Sequence, residues 1–202
     1  MSDAAWREKV IEYIRAEARP VDKFGHQPRL YALTLQLGQG LTYDDDIVFA
    51  AAWMHDLGVF IGHRPEDPEE LARWNHVPYT IDRTCELLAA WGFPAENLDG
   101  VAEAIRTHQP SDEPQMLEAI LLRDAYILEQ LGAIGILRAV VKVGRDTRYA
   151  TYSQVRPVLE KALMELPAKL HFESARAAAL PRVAALRAFL AAMASEAGEL
   201  LY

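Results

Sequence analysis

Apolar residues recur at helical spacing along almost the whole chain. In residues 3–18, Trp6, Val10, Ile11 and Ile14 fall on one face of a helix. No stretch alternates β-branched and polar residues as a half-buried strand would, so the pattern predicts an all-α protein of about eight or nine helices. The predicted helices are 3–18, 26–37, one that LTYDDD opens and that reaches His55 and Asp56, 69–90 with an interruption at Asn75, 96–108, 114–131, 153–166 and 172–198, with a shorter apolar segment at 133–141.

The third of these helices differs from the others because it is apolar on almost every side. It carries Ile47, Val48, Ala51 and Ala52, and the acidic residues of LTYDDD lie at its start, where the helix dipole favours negative charge. A helix without a polar face is buried. We therefore predict that it is the central helix of the fold.

The 202 residues are enough for one domain with a sizeable core. We find no internal repeat, low-complexity tract or linker that would separate two domains. The chain is therefore predicted to be a single helical domain over 1–202, with a core of about 20–145 and C-terminal helices at about 153–198.

Composition narrows the function classes. The net charge of −8 argues against a protein that grips the nucleic-acid backbone or an anionic membrane, because affinity for phosphates comes from excess Lys and Arg. The lone cysteine, Cys85, excludes an internal disulfide framework and fits a reducing compartment. The charged N-terminus is unlike a signal peptide, and no apolar run approaches the ~20 residues that span a bilayer. We expect a cytoplasmic protein without membrane or nucleic-acid partners; a homo-oligomer stays open.

The dipeptide His55-Asp56 ends the most apolar helix, where burial of either side chain is costly. A neutral imidazole and a carboxylate are a typical ligand pair for a first-row divalent metal, and a cation offsets the cost of burying the carboxylate. Adjacent side chains on a helix diverge by ~100°, so other helices must supply the remaining ligands.

Two further residues have more than one interpretation. Asp124 lies in the apolar run LEAILLRDAYILEQLG and needs a partner, which is either a cation or a salt bridge to Arg123 or another basic residue. His108, at the end of its helix, is either a partner of the helix dipole or an active-site group.

These residues together resemble a known family. HQPRL is similar to the H-x-x-R-V helix start, and AAWMHDLG to the A-A-L-L-H-D-I-G, of the HD-domain superfamily of metal-dependent phosphohydrolases. LLRDAYILEQLGAIGILR resembles the L-x-D-A-D-x-L-D-x-L-G-A-x-G-I-x-R of a small bacterial subgroup that includes nucleotide-hydrolysing members. The similarity spans roughly residues 20–198, and it implies a single compact HD-domain bundle. One departure is Tyr126, where the subgroup usually has Asp.

The resemblance also implies a ligand set. His26, His55, Asp56 and Asp124 would surround one divalent ion, such as Mn²⁺, Fe²⁺, Co²⁺, Ni²⁺ or Mg²⁺. His76 and His108 match extra histidines that hold a second metal ion in some relatives, and otherwise they would bind substrate oxygens. Asp56 would orient the nucleophile or accept its proton, and His108 would act as an acid or stabilise an oxyanion.

A phosphorylated substrate needs basic partners. Arg29 follows His26 by one turn on the same helix face, and His63 and Arg64 lie in the loop after the His-Asp pair. The loop KVGRDTRY adds Lys142, Arg145 and Arg148 to the candidate substrate-binding residues.

We therefore expect a hydrolase of a small phosphorylated metabolite, a nucleotide above all, that cleaves a phosphomonoester or a pyrophosphate bond. The alternatives are a metal-dependent lyase or hydratase, a di-iron oxygenase, and a non-catalytic nucleotide-binding module.

Overall fold

In a computed structural model, the structure describes residues 5–145, 149–198 and 200–201, without the side chain of Asp22. These residues form ten α-helices and no strand, which confirms the all-α prediction. The count exceeds eight or nine because Asn75 divides 69–90 into two helices and 133–141 contributes a helix of its own. The helices are α1 (Ala5–Glu17), α2 (His26–Leu37), α3 (Asp45–Met54), α4 (Pro68–Arg73), α5 (His76–Trp91), α6 (Leu98–Arg106), α7 (Leu117–Leu128), α8 (Gly132–Val140), α9 (Tyr152–Glu165) and α10 (Glu173–Ala197).

The helices form two compact units, which divide between Ala125 and Tyr126 within α7. Helix α7 runs through the dividing point. The expectation of a single domain over 1–202 stays a prediction. The first unit contains α1 to α6 and most of α7. The second unit contains the end of α7 and α8, α9 and α10.

Helix α3 is the centre of the first unit, as its apolar sequence predicts. All eight residues from 47 to 54 are buried, and α1, α2 and α6 pack against the helix. Asp44 caps its N-terminus by accepting hydrogen bonds from the backbone N–H groups of Asp46 and Ile47. Asn97 Nδ2 donates to the other carboxylate oxygen of Asp44 at 2.7 Å, so this cap also holds the start of α6.

Helix α1 covers one side of α3. Its Trp6, Val10 and Ile14 are buried, and the Trp6 ring meets Phe49 edge-on at 5.4 Å between centroids. Arg7 Nη2 lies 2.8 Å from Asp45 Oδ2, which joins α1 to the first turn of α3. The apolar stripe and the ion pair together fix α1 on the central helix.

In the second unit, α8, α9 and α10 pack on one another. Helix α9 begins with a capping box, in which Thr151 and Gln154 satisfy each other's backbone N–H groups. The Arg138 guanidinium lies 3.4 Å from Glu129 and 5.8 Å from the ring centre of Tyr126. Tyr126, the departure from the subgroup pattern, therefore packs against a cation.

By length and composition alone, α10 could cross a bilayer, with a mean hydropathy of 1.4 over its most apolar stretch. A mostly buried core helix of a soluble protein passes the same test, whereas only 11% of this stretch is buried in the structure. Arg182 and Arg187 lie within this helix, and an arginine at the centre of a spanning helix costs about 2.5–3.5 kcal/mol on insertion scales. The absence of a membrane partner and the cytoplasmic location stay predictions.

Candidate metal centre

Three side chains from two helix boundaries meet inside the first unit. His26 is the first residue of α2, and His55 and Asp56 follow the last residue of α3. Nε2 of His26 lies 3.2 Å from Nε2 of His55 and 3.8 Å from Oδ2 of Asp56, and Nε2 of His55 lies 3.5 Å from Oδ1 of Asp56. All three residues are buried. The turn after α3 therefore brings His55 and Asp56 to the start of α2, inside the first unit.

A second group shares Asp56 with the first. His76 begins α5, and His108 follows α6 by two residues. In each group, His26–His55–Asp56 and Asp56–His76–His108, one ligand atom per residue lies within 4.8 Å of the others. The rings of His55 and His108 are 5.1 Å apart between centroids, so the two groups are neighbours.

Backbone carbonyls set which ring nitrogens face the groups. Nδ1 of His55 lies 3.0 Å from the carbonyl oxygen of Ala52, and Nδ1 of His108 lies 2.6 Å from that of Ile105. A carbonyl only accepts, so each Nδ1 carries the proton and Nε2 of the neutral ring keeps its lone pair. Burial lowers the pKa of both imidazoles, which keeps them neutral at pH 7. Neutral imidazoles beside a buried carboxylate fit a divalent ion of the first transition series.

Asp124 is fully buried in α7 but belongs to neither group at the 4.8 Å spacing. Nη1 of Arg123 lies 3.8 Å from Oδ1 of Asp124, and Nη2 of the same arginine donates to the carbonyl of Pro110 at 3.2 Å. The structure is therefore compatible with both interpretations of Asp124, as an ion-pair partner of Arg123 and as a metal ligand. The ligand role of Asp124 stays a prediction.

Contacts from α4 and α5 hold the turn that carries the His-Asp pair. The backbone N–H of Gly58 donates to the Thr80 hydroxyl at 3.0 Å, and Trp74 Nε1 donates to the Gly58 carbonyl at 2.8 Å. A Cβ at position 58 would lie 2.9 Å from the carbonyl oxygen of His76, so glycine is needed for this approach. Sequence reasoning missed these contacts; the glycine two residues after Asp56 is the one signal that could have indicated them.

The candidate phosphate-binding residues of the first unit lie near the ligands in sequence. A Cβ at Gly25 would lie 2.9 Å from Nη1 of Arg29, so the end of this guanidinium lies next to the residue that precedes His26. His63 is engaged elsewhere, since its ring nitrogens lie 2.8 Å from the Tyr79 hydroxyl and 2.9 Å from Glu17 Oε2. Arg64 follows His63 in the loop and is half-buried.

The remaining candidates belong to the second unit or lie outside the described residues. Lys142 and Arg145 are in the turns that follow α8. Arg148 lies outside the described residues. A role for these three residues in phosphate binding stays a prediction.

Comparison with known proteins gives a consistent picture. The model of the HD domain family matches residues 24–130, just over half of the chain. The structure is similar to that of YpgQ from Bacillus subtilis, with a TM-score of 0.75 and 20% identity over 99% of this chain and 100% of that protein. It is similar to the same protein in complex with ADP, with a TM-score of 0.72 and 21% identity over 99% of each chain.

An HD-superfamily hydrolase from Bacillus thuringiensis gives a TM-score of 0.68 and 20% identity over 94% of this chain and 95% of that one. At these identities the likeness to solved structures shows the fold. No protein of curated function matches the chain.

Proposed function

Because this chain belongs to the HD domain family, we propose that it is a metal-dependent phosphohydrolase of a small phosphorylated metabolite, with nucleotides as the leading class. One observation carries the proposal. Two imidazoles and a carboxylate, His26, His55 and Asp56, meet with their ligand atoms within 4.8 Å, away from solvent. A buried carboxylate next to neutral rings is stabilised by a cation.

We assign one divalent ion to His26, His55 and Asp56, with Asp124 as a further ligand. Mn²⁺, Fe²⁺, Co²⁺ and Ni²⁺ suit these imidazoles better than Mg²⁺, which prefers oxygen ligands. When bound, such an ion lowers the pKa of a coordinated water and offsets the negative charge of a phosphoryl group. The group Asp56–His76–His108 is the place for a second ion.

The chain's own residues divide the remaining work. Asp56, which contributes to both groups, orients the attacking water and accepts its proton. His108, a neutral ring with its Nδ1–H bonded to the backbone, presents the lone pair of Nε2, which suits a ligand of the second ion or an acceptor of a proton; the expected role as an acid or oxyanion stabiliser would require a proton on Nε2. Arg29 and Arg64 bind phosphate oxygens, and Lys142, Arg145 and Arg148 are the further candidates for that role.

Two observations support nucleotides as the substrate class. The segment around Asp124 is similar to a subgroup with nucleotide-hydrolysing members. A protein with the same fold, YpgQ from Bacillus subtilis, forms a complex with ADP.

The second group supports one alternative function, a di-iron oxygenase, because that function needs two ions, and His76 and His108 together with Asp56 would hold the second one. A lyase or hydratase and a non-catalytic nucleotide-binding module have no comparable support from the described residues.

The test combines metal analysis with a substrate panel. Purified protein is loaded with Mn²⁺ or Fe²⁺, the ions per chain are counted, and phosphate release is measured on nucleotides, pyrophosphate and simple phosphomonoesters. We expect phosphate release that His55→Ala and Asp56→Ala abolish and that His171→Ala, on an exposed histidine, leaves intact. No phosphate release with any ion, or full activity and metal content in both site variants, would contradict the proposal. Oxygen consumption by the Fe²⁺ form would favour the oxygenase.

A further inference from the structure

A groove of about 670 Å³ lies in the first unit, between the start of α5 and the loop after α6. Its volume is in the range of sites that hold a small ligand. The lining residues are Asn75, Val77, Pro78, Ile81, Asp82, Arg106, Gln109 and Asp112.

The groove adjoins the group that His76 and His108 form with Asp56. Asn75 and Val77 flank His76 in the chain, and Gln109 directly follows His108. A ligand in the groove would therefore lie beside the segments that carry the two histidines. Neither the ligand set nor the candidate phosphate-binding residues include any residue of the groove lining.

Three lining residues form an apolar wall on α5, and the other five are polar or charged. Pro78 and Ile81 are three residues apart on α5, so they present one helix face together with Val77. Asn75 and Gln109 supply side-chain amides, which both donate and accept hydrogen bonds. An apolar face together with such groups fits a planar ring with polar edges.

The charges of the lining argue against a phosphate in the groove itself. Asp82 and Asp112 are carboxylates, whereas Arg106 is the single basic residue of the lining, and Arg106 is ion-paired with Glu103. Carboxylates accept hydrogen bonds, which suits sugar hydroxyls and exocyclic amino groups. The chemistry is thus that of an uncharged, hydroxyl-rich ligand.

We propose that this groove binds the nucleoside part of the substrate, with the base on the wall of Val77, Pro78 and Ile81 and the sugar hydroxyls towards the carboxylates. This inference rests on the proposed function, since it places a phosphate at the histidines and the remainder of a nucleotide beside them. A groove of this kind would make the protein select nucleotides over phosphate compounds that lack a base.

The test measures binding of adenosine, guanosine, cytidine and uridine, which carry no phosphate, by NMR and calorimetry. A ligand of this size is expected to bind with a Kd on the order of 0.1–1 mM. Ile81→Glu, which puts a charge on the apolar wall, and Gln109→Ala, which removes an amide, should each weaken the best nucleoside at least tenfold. Glu86→Gln is the control, because Glu86 is exposed on α5 and lies outside the lining. Thermal melts establish that each variant is folded.

The outcomes separate this inference from the proposed function. Nucleoside binding that both groove variants weaken and the control does not supports the groove assignment, even if no phosphate release is found. Absence of nucleoside binding, or binding that both groove variants leave unchanged, overturns it, even if the Mn²⁺ form hydrolyses phosphates. In an active enzyme, the groove variants should raise KM for nucleotides at least tenfold and leave KM for pyrophosphate unchanged.

Discussion

Replacement of Thr80 by valine should destabilise the turn that carries His55 and Asp56, two candidate metal ligands. Thr80 is fully buried, and its hydroxyl accepts the backbone N–H of Gly58, two residues after Asp56. Valine has nearly the same shape but no acceptor. The Gly58 N–H would then stay buried without its partner.

The expected size of the effect follows from that orphaned donor. A buried N–H left without an acceptor costs about 1–3 kcal/mol in the free energy of unfolding. For a chain of this length, Tm changes by about 2–4 °C per kcal/mol, so Thr80→Val should lower Tm by roughly 2–12 °C. Thr80 is also one turn after His76, so the same change should weaken Mn²⁺ binding by about 10–100-fold, as supporting contacts around metal ligands do.

Thr84→Val is a matched control. Thr84 lies one turn further along α5 and is equally buried, but its hydroxyl has no hydrogen-bond partner within the part of the chain that the structure describes. Loss of this hydroxyl removes a desolvated polar group, so the free energy of unfolding should stay the same or rise.

The measurement is urea denaturation and differential scanning calorimetry of the metal-free proteins, followed by Mn²⁺ titration. The reasoning predicts a large loss for Thr80→Val and none for Thr84→Val. Equal effects of the two substitutions would refute the claim that the Gly58 bond, rather than side-chain volume, stabilises the turn.

Three other perturbations test the site and the fold. Asp56→Asn should reduce the bound Mn²⁺, measured by elemental analysis, to near zero, because Asp56 belongs to both groups. His171→Gln should keep the full amount of Mn²⁺. Equal metal content in the two variants would contradict the role of Asp56 as a shared ligand. Removal of metal with a chelator should lower Tm, since an ion at 100 times its Kd stabilises the folded state by about 2.7 kcal/mol. An unchanged Tm would mean that no ion binds the folded state. Burial and Asp45 raise the pKa of Tyr31 to about 12, so the folded state keeps a proton that the unfolded chain loses near pH 10. The free energy of unfolding should therefore fall between pH 10 and 12, and fall less steeply in Tyr31→Phe; identical slopes in urea denaturation would contradict this.

Sequence reasoning worked best where a single local pattern determines the structure. The run from Ile47 to Met54 is apolar on all sides, and the helix it forms is buried along its whole length. The adjacent His55 and Asp56 were recognisable because both are costly to bury there, and the structure brings them to His26.

Contacts between distant segments could not be predicted in the same way. The bond from Gly58 to Thr80 joins residues 22 positions apart, and Thr80 falls within the regular helical pattern of α5. The groove beside His76 likewise depends on how α5 approaches the loop after α6. Helical spacing specifies which face a residue occupies, but it leaves open which other segment that face meets.

The attachment of α1 to the central helix has a practical consequence for anyone who trims this protein. The family match begins at residue 24, after α1 has ended, yet Trp6, Val10 and Ile14 are buried. A fragment cut to residues 24–130 would leave the apolar flank of α3 uncovered and would be prone to self-association and poor yield. The segment that the family model matches therefore depends on a helix, α1, that lies outside it.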